Sequence, residues 1–321
     1  MTTVSVIIPA FHAGYLESAL ESLFSQSRQP DEVILVDSSP ETTTPRLQPW
    51  RHRVEYHFQP PRGVSAARNF GIRKACGKYI ALLDADDIWL AGKLDKQIAL
   101  LEQHPDAGFA FSTVWNLVDT ETTAIPREPF YPAPLRKWIG ANEPLDGAVK
   151  GGAYDLLLEV NCVATSSLVI RREAFNVVGC FDESFRNAED YEFELRLAKR
   201  YPTIFINEPT SRYRVHDTGL SGAWLARGEL FYRTNLAALE KHDSLFPSRA
   251  VKRAIATTCS SYASHCLRAG QPKLAASLAC RSWRLSPTLA ALKCCAEAMS
   301  PATYGWFAAL RAKCRQSRRA L

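Results

Sequence analysis

The 321 residues, 46% of them hydrophobic, suffice for one large folded domain with an appendage or for two domains, and they exclude a disordered or fibrous chain. The net charge of +6 is concentrated at one end: residues 249–321 hold thirteen Lys and Arg against one acid, Glu297, so the basic signal belongs to this tail and not to the remainder. Nine cysteines (76, 162, 180, 259, 266, 280, 294, 295 and 314), with no Cys-x-x-Cys pair and no zinc-type His/Cys spacing, fit reduced thiols and exclude a disulfide framework and structural zinc.

No apolar run reaches the roughly 18 residues that span a bilayer, and the first apolar run lacks the basic flank of a signal peptide, so the expected location is the cytoplasm. Residues 3–9 predict a first strand that leaves the sheet at Pro9, because proline has no N–H for a ladder. Tyr15, Ala19, Leu20, Leu23 and Phe24 recur at helical spacing, and Pro30 and Asp31 end that helix. Residues 32–36 read as a second buried strand running into Asp37, residues 53–58 as a third and weaker strand, and residues 64–76 as a helix carrying Arg68 and Ile72. Residues 79–83 read as a parallel-sheet strand buried on both faces, and they run into three acids, Asp84, Asp86 and Asp87. The alternation is that of an α/β domain with a mostly parallel sheet, whose ligands sit beyond the carboxyl ends of the strands. Three carboxylates in four positions repel one another. A hard divalent cation would relieve that repulsion, although a turn capping the next helix explains the cluster alone as well.

Apolar residues between 105 and 118 predict a further strand. Residues 120–147, with five prolines and with Phe130, Tyr131 and Trp138 between them, predict a long loop. Asn187, with Asp190 three residues later, resembles a capping box ahead of a helical face of Phe193, Leu197 and Ala198. From residue 230 apolar positions at helical spacing, broken at 270–272 and 286–287, predict paired antiparallel helices. The closing aromatic and basic residues, from Tyr304 to Arg319, suit an anionic membrane surface, a solvated helix or another chain, and no nucleic-acid recognition module accompanies them.

Four ordered blocks carry a resemblance: Val-Ser-Val-Ile-Ile-Pro-Ala (4–10), Glu-Val-Ile-Leu-Val-Asp (32–37), Gly-Val-Ser-Ala-Ala-Arg-Asn-Phe-Gly-Ile (63–72) and Leu-Asp-Ala-Asp-Asp-Ile-Trp (83–89). In this order and spacing they resemble the family 2 glycosyltransferases of the GT-A fold. The likeness continues in residues 165–172, 178–183, 189–192 and 212–216, so it covers residues 3–222. It implies a GT-A nucleotide-binding domain at 1–225, with a mostly parallel mixed sheet flanked by helices, and leaves a C-terminal helical region with a basic tail at 226–321. Two positions depart from the family pattern. Ser38-Ser39 stand where Asp-Gly-Ser is frequent, and Gly179-Cys180 where Gly-Gly is usual; a Cys lacks the freedom of Gly at positive φ.

The activity implied by the resemblance is transfer of a sugar from a nucleotide-diphosphate sugar, a UDP-sugar foremost, to a saccharide or lipid-linked acceptor, with inversion and with Mn²⁺ or Mg²⁺. By the same resemblance, the backbone at Pro9 and Ala10 and the Asp37 carboxylate hold base and ribose, unless Asp37 only caps a turn with Ser38 and Ser39. Arg68 pairs with a carboxylate of the site or a diphosphate oxygen, Asp84 contacts ribose, and Asp86 and His216 hold the metal. Asp190 is the base that takes the acceptor's proton, with Glu189 beside it on the acceptor side. Arg214 is a second phosphate candidate, and Asp87 carries no assigned role. A helix amino terminus lowers a carboxylate's pKa, so a base at that position relies heavily on positioning. The basic tail would place the chain on the inner face of a membrane. One rival, a nucleotidyltransferase, calls for a glycine-rich basic loop near the first strand, where none exists; the other is a non-catalytic sugar-nucleotide-binding protein.

Overall fold

The structure, a computed structural model, describes residues 3–12, 14–40, 44–119, 124–127, 131–215 and 228–287. The chain divides into two compact units, Met1–Ala223 and Trp224–Leu321. In the first, β1 (Val4–Ala10), β2 (Glu32–Asp37), β3 (Glu55–Phe58) and β4 (Tyr79–Leu82) lie parallel in the order β3-β2-β1-β4. Beyond β4 the sheet turns mixed. β11 (Val169–Arg171) runs antiparallel to both β4 and β6 (Phe109–Ser112), β12 (Thr203–Ile206) is parallel to β6, and β10 (Ala148–Gly151) and β9 (Glu143–Leu145) close the edge antiparallel.

All seven residues of β1 are buried, which is why the strand lacks a polar alternation. Val4, Val6 and Ile8 pack into a core with Leu16, Leu20 and Leu23 of α1 (Leu16–Phe24) and Leu94, Ile98 and Leu101 of α3 (Lys93–Gln103). Ile7 faces the opposite side, where α2 (Val64–Lys74) covers the sheet. A Cβ on Gly71 would stand 2.5 Å from Ile7 Cγ2, so α2 rides on β1 at a distance that only glycine permits. Pro9 lies inside β1, one residue short of its end, rather than at its exit. The Ile7 carbonyl accepts from Leu83 and the Ala10 carbonyl from Ser38, so by alternation Pro9 faces the β4 side, past the last paired residue of β4. Its missing N–H costs the ladder nothing there.

A second sheet, in the order β5-β13-β7-β8, is made of β5 (Ile88–Trp89), β13 (Ser211–Val215), β7 (Trp115–Asp119) and β8 (Ala124–Arg127). The chain passes from the large sheet into the small one three times, from β4 to β5, from β6 to β7 and from β12 to β13. The single strand expected over 105–118 is therefore two, broken at Thr113 and Val114 where the chain changes sheet. The expected loop 120–147 also contains structure: β8, α4 (Ala133–Ala141) and β9. Pro132 and Pro134 flank the first residue of α4, where a fixed φ and a missing N–H suit a helix start.

The second unit contains helices Gly228–Leu245, Arg249–Arg268 and Pro272–Leu285. Ser248 caps the middle helix by accepting from the Val251 amide at 3.2 Å. Ser282 donates to the Ala256 carbonyl at 2.7 Å and lies 2.8 Å from the Ser260 hydroxyl, so the last two helices run as an antiparallel pair broken at 269–271. The aromatic and basic tail lies outside the described residues. Among the described residues no helix is long and apolar enough to cross a membrane.

Candidate active site

β2, β1 and β4 end on the same edge of the sheet, and the residues after them converge there. Asp37 stands opposite Ala10 and is fully buried. Its Oδ1 accepts from the Ser39 amide at 2.9 Å and its Oδ2 from the Tyr56 hydroxyl at 3.0 Å. Asp37 thus caps the turn through Ser38 and Ser39, and its carboxylate presents no open surface to a nucleobase. The Ala10 carbonyl is taken by the Ser38 amide, and the Ser39 hydroxyl accepts from the His12 amide at 3.0 Å, which ties the two strand exits together. Phe11, 56% accessible and edge-on to the exposed His12, stands open to solvent here.

The acid turn joins the two sheets. Asp84 donates its amide to the Ser166 hydroxyl at 3.0 Å, and Asp87 donates its own to the Asp84 carbonyl at 3.1 Å. Asp87, left without a role by the sequence, is buried, and its Oδ1 accepts the Arg214 amide of β13 at 2.8 Å. Its Oδ2 has no hydrogen-bond partner. Arg214 in turn donates Nε to the Asp86 carbonyl at 2.9 Å and stacks on Tyr15, 4.1 Å from the ring centroid. It is thereby a clamp on the acid turn. Asp86 itself is partly exposed. His216 lies outside the described residues.

Arg68 is the centre of the remaining group. It is 3% exposed rather than a surface helix residue, and it donates Nη2 to Asp84 Oδ1 and Nη1 to Glu189 Oε1, each at 2.8 Å. Burial alone would weaken its charge, but Asp84 and Glu189, with Asp190, outweigh burial and hold it firmly protonated. Asp84 is pushed up by burial, against the pull of Arg68 and with the repulsion of Asp86. Glu189 and Asp190 open α7 (Glu189–Arg200), and the expected capping box does not form: the residue before the helix is Ala188, at φ 60, and no side chain caps the end. A non-glycine residue held there costs roughly 1–3 kcal/mol.

Asp190 Oδ1 accepts from the Tyr191 amide at 2.7 Å, and Oδ2 lies 3.4 Å from the Thr165 hydroxyl. Its pKa is raised to about 7, by burial first and then by Glu189, with Arg68 pulling the other way. This is opposite to the lowered value expected at a helix amino terminus; the aligned peptide dipoles are outweighed by desolvation and a neighbouring carboxylate. A partly buried carboxyl with that affinity can take a proton near neutral pH.

The Glycosyl transferase family 2 model matches residues 5–179, more than half of the sequence. The chain belongs to glycosyl transferase family 2. It is 26% identical over 245 residues to an uncharacterised glycosyltransferase of Rickettsia typhi, covering 76% of this chain and 70% of the relative. It is 29% identical to the putative teichuronic acid biosynthesis glycosyltransferase TuaG of Bacillus subtilis, over 71% of this chain and 86% of that one. Among solved structures, S. aureus TarS 1-349 superposes with a TM-score of 0.59 at 16% identity, covering 89% of this chain and 81% of that one. TarS 1-349 in complex with UDP-GlcNAc superposes with a TM-score of 0.54 at 16% identity, over 92% and 79%. The fold is of the GT-A type, as the sequence blocks implied.

Sequence reasoning missed how much of this glycosyltransferase's site is organised by Ser166. Its hydroxyl holds the Asp84 amide, and its carbonyl accepts from Trp89 Nε1 at 2.9 Å and from the Ser211 hydroxyl at 3.1 Å. The Thr-Ser-Ser run was visible, but its partners lie 77, 82 and 45 residues away. Lys93, fully buried, donates to the next carbonyl, Ser167, at 2.9 Å, and burial lowers its pKa well below the usual lysine value. Asn69 was also overlooked: it donates to the Phe181 carbonyl and to Glu183, and accepts from the Phe181 amide, the first and last at 2.9 Å. It pins the chain between α6 (Ala174–Val178), which Gly179 ends, and α7. Gly179 takes the positive φ of 77 at the Gly179-Cys180 departure, so Cys180 is not asked to. Asn69→Ala strands both backbone groups of Phe181 and is expected to cost about 1–3 kcal/mol in urea unfolding; no change would show that this segment holds itself.

Proposed function

We propose that this family 2 glycosyltransferase moves a sugar from a nucleotide-diphosphate sugar to an acceptor hydroxyl in glycan or cell-surface polysaccharide synthesis, with Asp190 as the base. The observation that carries the reading is Asp190, a partly buried carboxyl of pKa about 7 beside the Asp84–Arg68–Glu189 group, at the sheet edge where the donor strands end. In the proposed step Asp190 accepts the acceptor's proton as that oxygen attacks the anomeric carbon, and the bond to the diphosphate oxygen breaks with its electron pair leaving on the diphosphate. A single in-line displacement of this kind inverts the anomeric centre. The donor class is supported by the UDP and UDP-GlcNAc complexes of TarS, which shares the fold, and the polysaccharide setting by the likeness to TuaG.

A divalent cation, Mn²⁺ or Mg²⁺, fits the donor set. Asp86 offers hard carboxylate oxygen at the partly exposed end of the turn; beside it the buried Asp87, pushed well above the usual carboxylate range by burial and then by Asp86 and Asp84, has an Oδ2 without a hydrogen-bond partner, and a cation would favour its ionised form. Among the described residues no three His, Cys, Asp or Glu side chains enclose a metal, so diphosphate oxygens and water would complete its shell. When bound, the ion would supply positive charge to the leaving diphosphate. Thermal shift with a panel of nucleotide sugars tests both parts: a saturating donor with Mn²⁺ is expected to add about 2–3 kcal/mol of stability. Asp86→Ala is expected to lose the Mn²⁺-dependent part. Stabilisation by none of the panel sinks the donor reading, and full Mn²⁺ dependence in Asp86→Ala sinks the metal assignment alone.

A further inference from the structure

The helix that presents Asp190 buries three other acids, and two of them have cations. Glu189 pairs with Arg68, and Glu192, fully buried, accepts from Nε and Nη2 of Arg196 at 2.8 and 2.7 Å. Glu194 is also 0% exposed, yet neither of its carboxyl oxygens has a hydrogen-bond partner. It follows Asp190 by four residues, which sets the two carboxyls on one face of α7, a turn apart. Facing it are Asp190, Glu189 and Tyr191 from its own helix, Arg68 from α2 and Cys162 from the segment ahead of Thr165–Ser167. Tyr154 of α5 (Tyr154–Glu159) adds to the upward push on the Tyr191 hydroxyl, after burial, Glu194 and Cys162. The cation in this set, Arg68, is already committed to Asp84 and Glu189. A carboxylate without a donor in such surroundings is costly, so Glu194 keeps its proton. An apolar side chain of similar volume would be cheaper, which makes the retained carboxyl informative.

We propose that Glu194 is a positioning residue for the transfer reaction: a buried carboxyl that stays protonated, leaves Arg68 on Asp84 and Glu189, and makes Asp190 the ionised member of the pair. The proposal rests on Asp190 being the base. Burial, and then the charge of Asp190, push Glu194 well above the carboxylate range, and burial, with Glu194 second, pushes the Cys162 thiol up to about 12. The pair therefore loses its protons in two steps, Asp190 first. Past the second step a new negative charge competes for Arg68 and loosens its hold on Asp84.

The test is Glu194→Gln, which keeps the shape and removes the proton. The full chain is expected to give a kcat that rises as Asp190 ionises and falls at alkaline pH, whereas Glu194→Gln keeps kcat at neutral pH within about twofold and lacks the alkaline fall. An unchanged alkaline fall in Glu194→Gln, or kcat lost at every pH by a folded variant, overturns the proposal. Infrared spectroscopy gives a readout that does not need turnover. At neutral pH the wild type should show the stretch of protonated, non-hydrogen-bonded carboxyl beyond that of Asp87, which burial also pushes well above the carboxylate range, reduced in Glu194→Gln and undiminished in Asp190→Asn. Its absence from the wild type defeats the proposal even if Glu194→Gln fails to fold, and its persistence in Asp190→Asn separates this proposal from the reading of Asp190 itself.

Discussion

Replacing Asp190 by Asn is expected to lower sugar transfer by about 10²–10⁴-fold while donor binding is kept, because the amide fills the same space and cannot accept the proton. The same substitution has a thermodynamic signature. The Asp190 carboxyl is raised from 3.8 to about 7 in the folded chain, so the fold holds that proton more tightly than the unfolded chain does. Its favourable contribution is complete below about pH 4 and is lost as the pH climbs through 7. Wild-type Tm should therefore fall, relative to Asp190→Asn, between pH 5 and pH 8. Equal transfer by the two proteins would remove Asp190 as the base, and parallel Tm curves would show that its proton affinity is ordinary.

Arg68→Ala is expected to be the most destabilising single change at the site, at about 3–5 kcal/mol, since it leaves Asp84 and Glu189 facing each other and Asp190 with no cation between them. Arg68→Lys restores the charge but not the fork: one ammonium does not reproduce two nitrogens aimed at two carboxylates on different elements. The lysine variant should recover part of the stability and little of the activity. Urea unfolding with an unchanged m-value measures the first effect and steady-state transfer the second. An alanine variant within about 1 kcal/mol of wild type would mean that water screens the three acids.

β2 and β4 were readable because each is an apolar run that meets an acid, a local pattern that burial on both faces of a sheet produces, and β1 because its apolar run reaches Pro9. Asp84 was readable as a candidate for the same reason, and Arg68, Glu189 and Asp190 through the family resemblance. Their pairing was not. Arg68 and Glu189 are 121 residues apart, and Asp87 and the Arg214 amide 127, so nothing in either neighbourhood announces the partner. The break at Thr113 and Val114 escaped notice because switching sheets needs no glycine or proline when both sides remain extended. Pro132 and Pro134 misled by type: in a stretch of five prolines they read as loop, yet two of them start α4. Asp190 misled by physics: the macrodipole and the adjacent Glu189 are both local, whereas burial, the larger effect, comes from the tertiary structure.

The close approach of Gly71 to Ile7 has a consequence for ligand affinity. Gly71 follows Arg68 by one turn of α2, and α2 is seated on β1 by direct contact with the backbone of the glycine. The guanidinium therefore arrives at the sheet edge pre-organised, its rotational freedom surrendered when the chain folded and not when a nucleotide docks. An incoming ligand that meets the Asp84–Arg68–Glu189 group loses only its own freedom, so a larger share of each contact it makes there is realised as affinity.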